Sequence, residues 1–265
     1  MSRILIGPFV GEFGWELMHW QGYARTVATE NSYDEVIVIA RESSEFLYRD
    51  FYTKFISHGI TGATDCDLCN GRNYNILLDK YKQPGDVLFP SKRFLPDREP
   101  DITEWPFSRQ TFIKFGTKIK DEYDILIHAR NTDKCNSKYR NWPDDKWIKL
   151  HNLLVKNYSI GYIGINDDRV FGENNLKDIP LDRLSNIMAG SRLYIGTSSG
   201  PAHFASLCGL PHIILSPSCN IGRYGSDWNP FNTPNKVTCI NDWNPPVDLV
   251  YNLTTHYLKN NNFDI

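Results

Sequence analysis

Short apolar runs alternate along this chain with longer segments of helical spacing, and the alternation begins at once. Ile4-Leu5-Ile6 is a compact apolar run after Arg3, followed by a glycine-containing stretch from Gly7 to Gly14 and a helix-like segment from Glu16 to about Ala28. The order is strand, loop, helix. A second strand, Val36-Ile37-Val38-Ile39-Ala40, arrives at the interval of a crossover connection, and Ser44 is placed to cap a helix running from Glu45 towards His58. Such βα units predict a mostly parallel sheet for the first half.

A loop-rich middle follows, with one strand at Val87-Leu88-Phe89 and a stretch from Pro90 to Pro106 dense in proline and charge. Phe107 to Ile119 is expected as a helix linking two halves. At Asp124 to Ala129 the rhythm restarts with a strand, then runs through a helix (Asp145 to Lys156), a strand (Gly161 to Ile165) and a helix (Leu181 to Ala189). A strand (Leu193 to Gly196), a helix (Gly200 to Cys208) and a strand (His212 to Ser216) complete it. Five alternations predict a doubly wound α/β domain. The expected division is residues 1–118 and 119–265, two Rossmann-like lobes facing each other across a cleft, because ligands bind outside the carboxyl ends of parallel strands.

Composition narrows the function classes. With 265 residues, 41% hydrophobic and 23% charged, the chain is globular rather than disordered or fibrous. No stretch approaches the roughly 20 apolar residues of a transmembrane helix, and no cleavable leader pattern opens the chain, so a cytoplasmic location is expected. A formal net charge of −2 supplies no global field to attract nucleic acid. The six cysteines are scattered; Cys66 and Cys69 form one C-x-x-C without a second pair, which suits reduced thiols better than zinc.

The most informative local pattern is in the second half. Tyr194-Ile195-Gly196 reads as strand, and Thr197-Ser198-Ser199-Gly200-Pro201 turns directly into an apolar helix closed by Gly209 and Pro211. A strand feeding a small-residue turn that opens a helix presents backbone N–H groups and the positive end of a helix dipole, which suits phosphate. A tight, well-punctuated βα turn is the plain alternative.

The ordered series around that turn resembles the donor-binding lobe of the bacterial lipopolysaccharide heptosyltransferases. Their Gly-Pro-x-His-x-Ala-x-x-x-Gly-x-Pro segment is matched by Gly200-Pro201-Ala202-His203-Phe204-Ala205-Ser206-Leu207-Cys208-Gly209-Leu210-Pro211, with Thr197-Ser198 where the family usually has an acidic residue or Asn. Asn141-Trp142-Pro143, Ile163-Gly164 before Asp167-Asp168, Leu181-Asp182-Arg183-Leu184 and Arg223-Tyr224-Gly225 extend the match over about Asp124 to Pro230.

The resemblance implies a GT-B glycosyltransferase with no cofactor beyond its nucleotide-diphosphate sugar. The donor diphosphate would sit at Thr197, Ser198, Ser199, Gly200 and His203. Arg130, Lys138 and Arg140 are the candidate cations, Arg130 first, since a guanidinium can bind phosphate bidentately. Asn166 and Asp167 are placed to meet the base and ribose.

Transfer to a hydroxyl needs a base, and Gly11-Glu12-Phe13-Gly14-Trp15-Glu16-Leu17 supplies two carboxylates after the first strand. The heptosyltransferases carry Leu-Gly-Asp-Val here, which favours Glu16 over Glu12 by a small margin. Gly11, Gly14, Trp15 and His19 are the acceptor-side candidates. Asp65-Cys66-Asp67 has the Asp-x-Asp form of metal-dependent transferases but lies in the other half from the donor turn, so no metal requirement is expected, and a single carboxylate base suits inversion. The acceptor is a glycan or a hydroxymethylated base in phage-type DNA, with Lys92, Arg93, Lys114, Lys118 and Lys120 as candidate backbone contacts. A non-catalytic nucleotide or sugar-phosphate binding module is the alternative. A dinucleotide oxidoreductase is disfavoured because no G-x-G-x-x-G follows Ile4-Leu5-Ile6.

Overall fold

The computed structural model describes residues 2–59, 78–89, 110–133, 137–238 and 241–264. The chain divides into two compact units, Met1–Ile113 and Lys114–Ile265. Neither Asp65-Cys66-Asp67 nor Lys92-Arg93 falls within the described residues.

The first unit is built on a parallel sheet of β1 (Arg3–Ile6), β2 (Glu35–Ala40), β3 (Lys54–Ser57) and β4 (Val87–Phe89), in the order β3-β2-β1-β4. Ile4, Leu5 and Ile6 are fully buried, as are Val38, Ile39 and Ala40, which explains why these strands read as unbroken apolar runs rather than as alternating ones. Strand order reverses beside β1, because β2 and β3 lie to one side and β4 to the other. Gly7 leaves β1 with φ +102°, and a Cβ there would stand 2.4 Å from the Ile39 carbonyl oxygen, so only glycine fits this close approach.

The predicted helix is present but compound. A single α-turn, Phe13–Trp15, passes into a π-helical segment, Glu16–Trp20, and then into α1, Gln21–Glu30. Buried Arg25 fastens α1: it binds both oxygens of Asp50 at 2.6 and 3.0 Å, the Leu47 carbonyl at 2.9 Å and the Thr111 carbonyl at 3.0 Å.

Two expectations fail here. The helix from Glu45 to His58 is replaced by a 3₁₀ segment, Glu42–Tyr48, and by β3, which pairs with β2 from Ile37↔Lys54 to Ala40↔Ser57. Ser44 caps nothing; its hydroxyl goes to the Glu16 carboxylate. The linking helix is also absent over residues 110–119, the described part of its expected span. Thr111 N–H is taken by the Gly22 carbonyl and the Thr26 hydroxyl, Phe115 N–H by the Leu207 carbonyl, and Gly116 sits at φ +76° with the Ser185 carbonyl 2.2 Å from any added Cβ.

The second unit carries a six-stranded parallel sheet of β5 (Ile125–His128), β6 (Ile160–Gly164), β7 (Asn175–Lys177), β8 (Leu193–Thr197), β9 (His212–Leu215) and β10 (Asn235–Val237). Their order is β10-β9-β8-β5-β6-β7. The helices are α2 (Asp144–Leu154), α3 (Leu181–Gly190), α4 (Gly200–Cys208) and α5 (Val247–Asn260). Of these α5 is not anticipated, although Val247, Val250, Leu253, Tyr257 and Leu258 recur at helical spacing and bury into one cluster with Trp142, Trp147, Leu150 and Leu154. The sheet grows outward in both directions from the β5–β8 pair, so the crevice at their carboxyl ends is the expected ligand position for an open α/β sheet.

Candidate functional site

At that crevice β8 ends in Thr197 and is followed by Ser198, both buried, and Ser199 is the extended residue before α4, with φ −163° and ψ 174°. Ser199 makes no side-chain cap, Pro201 occupies the first turn, and Gly209 closes the helix in the left-handed region at φ 72°. The Gly200 N–H lies in the first turn, where helix geometry provides no internal partner, and the helix dipole adds positive potential there.

The turn is held from behind by aromatic rings. His203 stacks on Tyr224 with ring centroids 4.9 Å apart and planes 9° from parallel, and meets Trp228 edge-on at 4.7 Å. Tyr224 donates its hydroxyl to Ser198 Oγ at 2.9 Å. Burial pushes the Tyr224 hydroxyl up to about 12, so it stays a donor at physiological pH.

The three candidate cations occupy different environments. Arg140 reaches the turn itself, donating from Nη2 to the Ser198 carbonyl oxygen, with its guanidinium over the Trp243 ring at 4.8 Å. Arg130 is buried and organises its own loop: Nη1 donates to the Thr132 and Ser137 carbonyls at 3.2 and 3.1 Å and to Asn141 Oδ1. Lys138 borders a polar hollow of about 750 Å³ together with Asn131, Asn166, Asp167, Asp168 and Lys177.

Behind the turn stands a buried relay that local sequence reading missed. His128, the last residue of β5, places Nε2 3.0 Å from Asp168 Oδ2 and Nδ1 3.2 Å from Ser199 Oγ. Burial would raise the Asp168 carboxyl, but hydrogen bonds from His128 and from the backbone N–H groups of Ile165 and Asn131, at 2.9 and 3.0 Å, hold it below its usual range. Gly164, at φ +141°, makes the room: a Cβ there would stand 2.4 Å from Asp168 Oδ2.

In the first unit the two candidate carboxylates also differ. Glu16 is fully buried and accepts three hydrogen bonds, from Tyr48 Oη at 2.7 Å, Ser44 Oγ at 2.8 Å and Arg41 Nη2 at 3.0 Å. Burial, followed by the Glu16 charge and hydrogen bond, raises the Tyr48 hydroxyl well above its ordinary value, so Tyr48 remains a donor. Arg41 also donates to the Gly11 carbonyl and pins the loop. Glu12 is half-exposed at the helix entrance, where its carbonyl accepts the Trp15 and Glu16 N–H groups at 3.1 and 3.0 Å. Gly14, Trp15 and His19 are likewise half-exposed, and the Trp15 and His19 rings lie 4.7 Å apart.

No protein-family model matches the chain, and no curated protein sequence matches it. Solved structures do. ADP-heptose lipopolysaccharide heptosyltransferase II of E. coli superposes with a TM-score of 0.63 at 14% identity, over 98% of this chain and 97% of that one. A family 9 glycosyltransferase from Veillonella parvula gives a TM-score of 0.59 at 12% identity, over 89% and 85%. The chain has the GT-B fold. A UDP-N-acetylglucosamine 2-epimerase shares it, with a TM-score of 0.51 at 8% identity over 98% of this chain and 88% of that one. The GT-B fold therefore narrows the chemistry to the residues at the carboxyl ends of the strands and does not choose among activities. Among the described residues no three or more His, Cys, Asp or Glu group as a metal site would require, and no helix is long and apolar enough to cross a membrane.

Proposed function

We propose that this chain is a metal-independent, inverting glycosyltransferase that moves a sugar from a nucleotide-diphosphate sugar to a hydroxyl on a glycan. The observation that carries the reading is the β8–α4 turn at the β5–β8 switch point: a helix N-terminus, two serines and the Arg140 guanidinium converge on Ser198 to Gly200. The diphosphate is assigned to Ser198, Ser199, Gly200 and Arg140, with His203 and Thr197 supporting the turn. The base and ribose are assigned to the hollow lined by Lys138, Asn166 and Asp167. Arg130 shapes the loop that carries Asn131 and Lys138.

In the transfer, the acceptor oxygen forms a bond to the anomeric carbon while the bond from that carbon to the phosphate oxygen breaks, its electron pair leaving with the nucleoside diphosphate. The acceptor proton passes to a carboxylate, and Glu12 is assigned this role in place of Glu16. A base has to be within reach of the acceptor, and Glu12 is half-exposed at the helix entrance, whereas Glu16 is buried with three donors upon it. The positive end of the helix dipole and Arg140 stabilise the leaving diphosphate. The surface lysines favour a glycan over DNA, because Lys118 and Lys120 are paired with Asp121 at 2.6 Å and Glu122 at 3.6 Å. The burial of Glu16 is also the one observation favouring a non-catalytic binding module.

Release of nucleoside diphosphate from a panel of nucleotide sugars, with and without chelator, decides between the readings. Turnover that survives chelator and Glu16→Gln but falls about 10²- to 10⁴-fold in Glu12→Gln supports the assignment. Donor binding without any turnover selects the binding module.

A further inference from the structure

Ser199 is placed to meet the diphosphate, yet its hydroxyl proton has two inward acceptors, His128 Nδ1 at 3.2 Å and the Thr197 carbonyl at 3.0 Å. Which way that proton points depends on the imidazole. Asp168, kept ionised by the N–H groups around it, fixes a proton on His128 Nε2. With neutral imidazole, Nδ1 is therefore an acceptor, and the serine turns its proton inward and its lone pairs outward, towards any incoming anion. With imidazolium, Nδ1–H donates to Ser199 Oγ and frees the serine proton to face outward.

We propose that His128 is a positioning residue that turns the Ser199 hydroxyl towards the donor diphosphate, and that binding of the diphosphate is coupled to uptake of one proton at His128. This rests on the donor-site reading above. A second observation points to the same place. The Tyr194 hydroxyl is fully buried and lies against Gly196, two residues further along β8, where an added Cβ would stand 2.3 Å from it. The ring thus leans along its strand towards the carboxyl end, beside Ser199 and Asp168, which both act on its ionisation.

Asp168, from the loop after β6, is bonded to the imidazole; Tyr194 of β8 stands beside Ser199 and Asp168, Arg130 follows His128 two residues on, and Arg140, from the short helical turn Lys138–Arg140, reaches Ser198. Asp168 provides the negative charge that compensates an imidazolium. A bound diphosphate adds negative charge beside Ser199 and so favours the imidazolium, which is the physical origin of the linkage.

The test measures affinity of the full chain for inorganic pyrophosphate between about pH 8 and about pH 6, by calorimetry in two buffers of different ionisation heat. Dividing wild-type affinity by that of Ser199→Ala removes the ligand's own titration. The expected result is a ratio that rises about tenfold across the range, with wild type taking up on average about half a proton more than Ser199→Ala. Ser199→Thr, which keeps a hydroxyl, restores the dependence, and His128→Gln leaves the ratio flat. A ratio independent of pH, or proton uptake equal in wild type and Ser199→Ala, overturns the relay while leaving the donor site intact. Failure of wild type to bind pyrophosphate at any pH overturns it as well, and nucleotide-sugar turnover then decides whether the donor-site reading falls with it.

Discussion

The two units open their functional elements in the same way, a parallel strand at a switch point leading through a glycine-containing turn into a helix, but they treat the polar groups there differently. In the first unit Glu16 is enclosed by Arg41, Ser44 and Tyr48, so its charge is fully answered from within. In the second unit the β8–α4 turn leaves a helix N-terminus without a side-chain cap and a serine with alternative partners. A site already satisfied internally is scaffolding, and a site with unanswered donors is shaped for a ligand. The distinction separates residues that look alike in the sequence, since Glu16 and Ser199 both stand at the start of a helix.

The sharpest way to break the comparison is to remove Glu16. Glu16→Leu leaves the Arg41, Ser44 and Tyr48 donors facing an apolar side chain in a buried space, and losing one partner of a buried charge pair costs about 3–5 kcal/mol. Denaturant unfolding should show that loss in the first unit. A change within 1 kcal/mol would mean that the carboxylate is not structural and would return Glu16 to the choice of base.

Acid separates the units next. His212 is fully buried on β9, and burial lowers it to about 4, whereas the unfolded chain binds that proton near the usual 6.5. The folded-state value is depressed for a base, so the unfolded state gains protons first, and stability falls as pH drops from about 6.5 to about 4, by roughly 3 kcal/mol in all. His58 in the first unit is also lowered by burial, while its hydrogen bond to the Phe9 carbonyl works against that shift. Thermal melts followed separately for the two units should therefore show the second losing more in this window, and His212→Gln should flatten its slope. Equal acid sensitivity in the two units, unchanged by the substitution, would defeat this account.

The pattern of what was legible in the sequence follows the same physics. The β8–α4 turn could be read closely, the helix at its observed bounds and the strand one residue short, because strand, small-residue turn, proline and terminal glycine are all local signals. Asn166 and Asp167 were reached through the loop they share, and they do line the polar hollow. The relay could not be read that way: His128 and Asp168 are 40 residues apart and meet only because β5 and β6 are neighbours in the sheet. The strand β3 was mistaken for helix because its four residues follow a serine and a glutamate that mimic a cap, and only pairing with the free edge of β2 decides its conformation. The segment β7 and the strand β10, three residues each, are too short to carry a periodic signal.

Arg140→Ala gives a smaller effect, confined to the second unit. It removes the cation at Ser198 and the packing over Trp243, and should weaken nucleoside diphosphate binding about tenfold. Arg130→Ala should instead lower stability, since its bonds hold Thr132, Ser137 and Asn141. Titration and melting of the two variants side by side would reveal whether binding and folding divide between the two arginines in this way.

The smallest expected effect is on the stability of Glu12→Gln. Glu12 makes no side-chain cap hydrogen bond and is half-exposed, and its backbone carbonyl, which the substitution leaves in place, is what accepts the Trp15 and Glu16 N–H groups. Loss of a carboxylate charge near a helix N-terminus costs about 0.3–1 kcal/mol. If unfolding changes by no more than this while donor turnover collapses, the carboxylate acts on the reaction and not on the fold, the reverse of Glu16. If stability falls by several kcal/mol instead, both carboxylates are scaffolding, the first unit contains no free base at this loop, and the proton acceptor must be sought on another element.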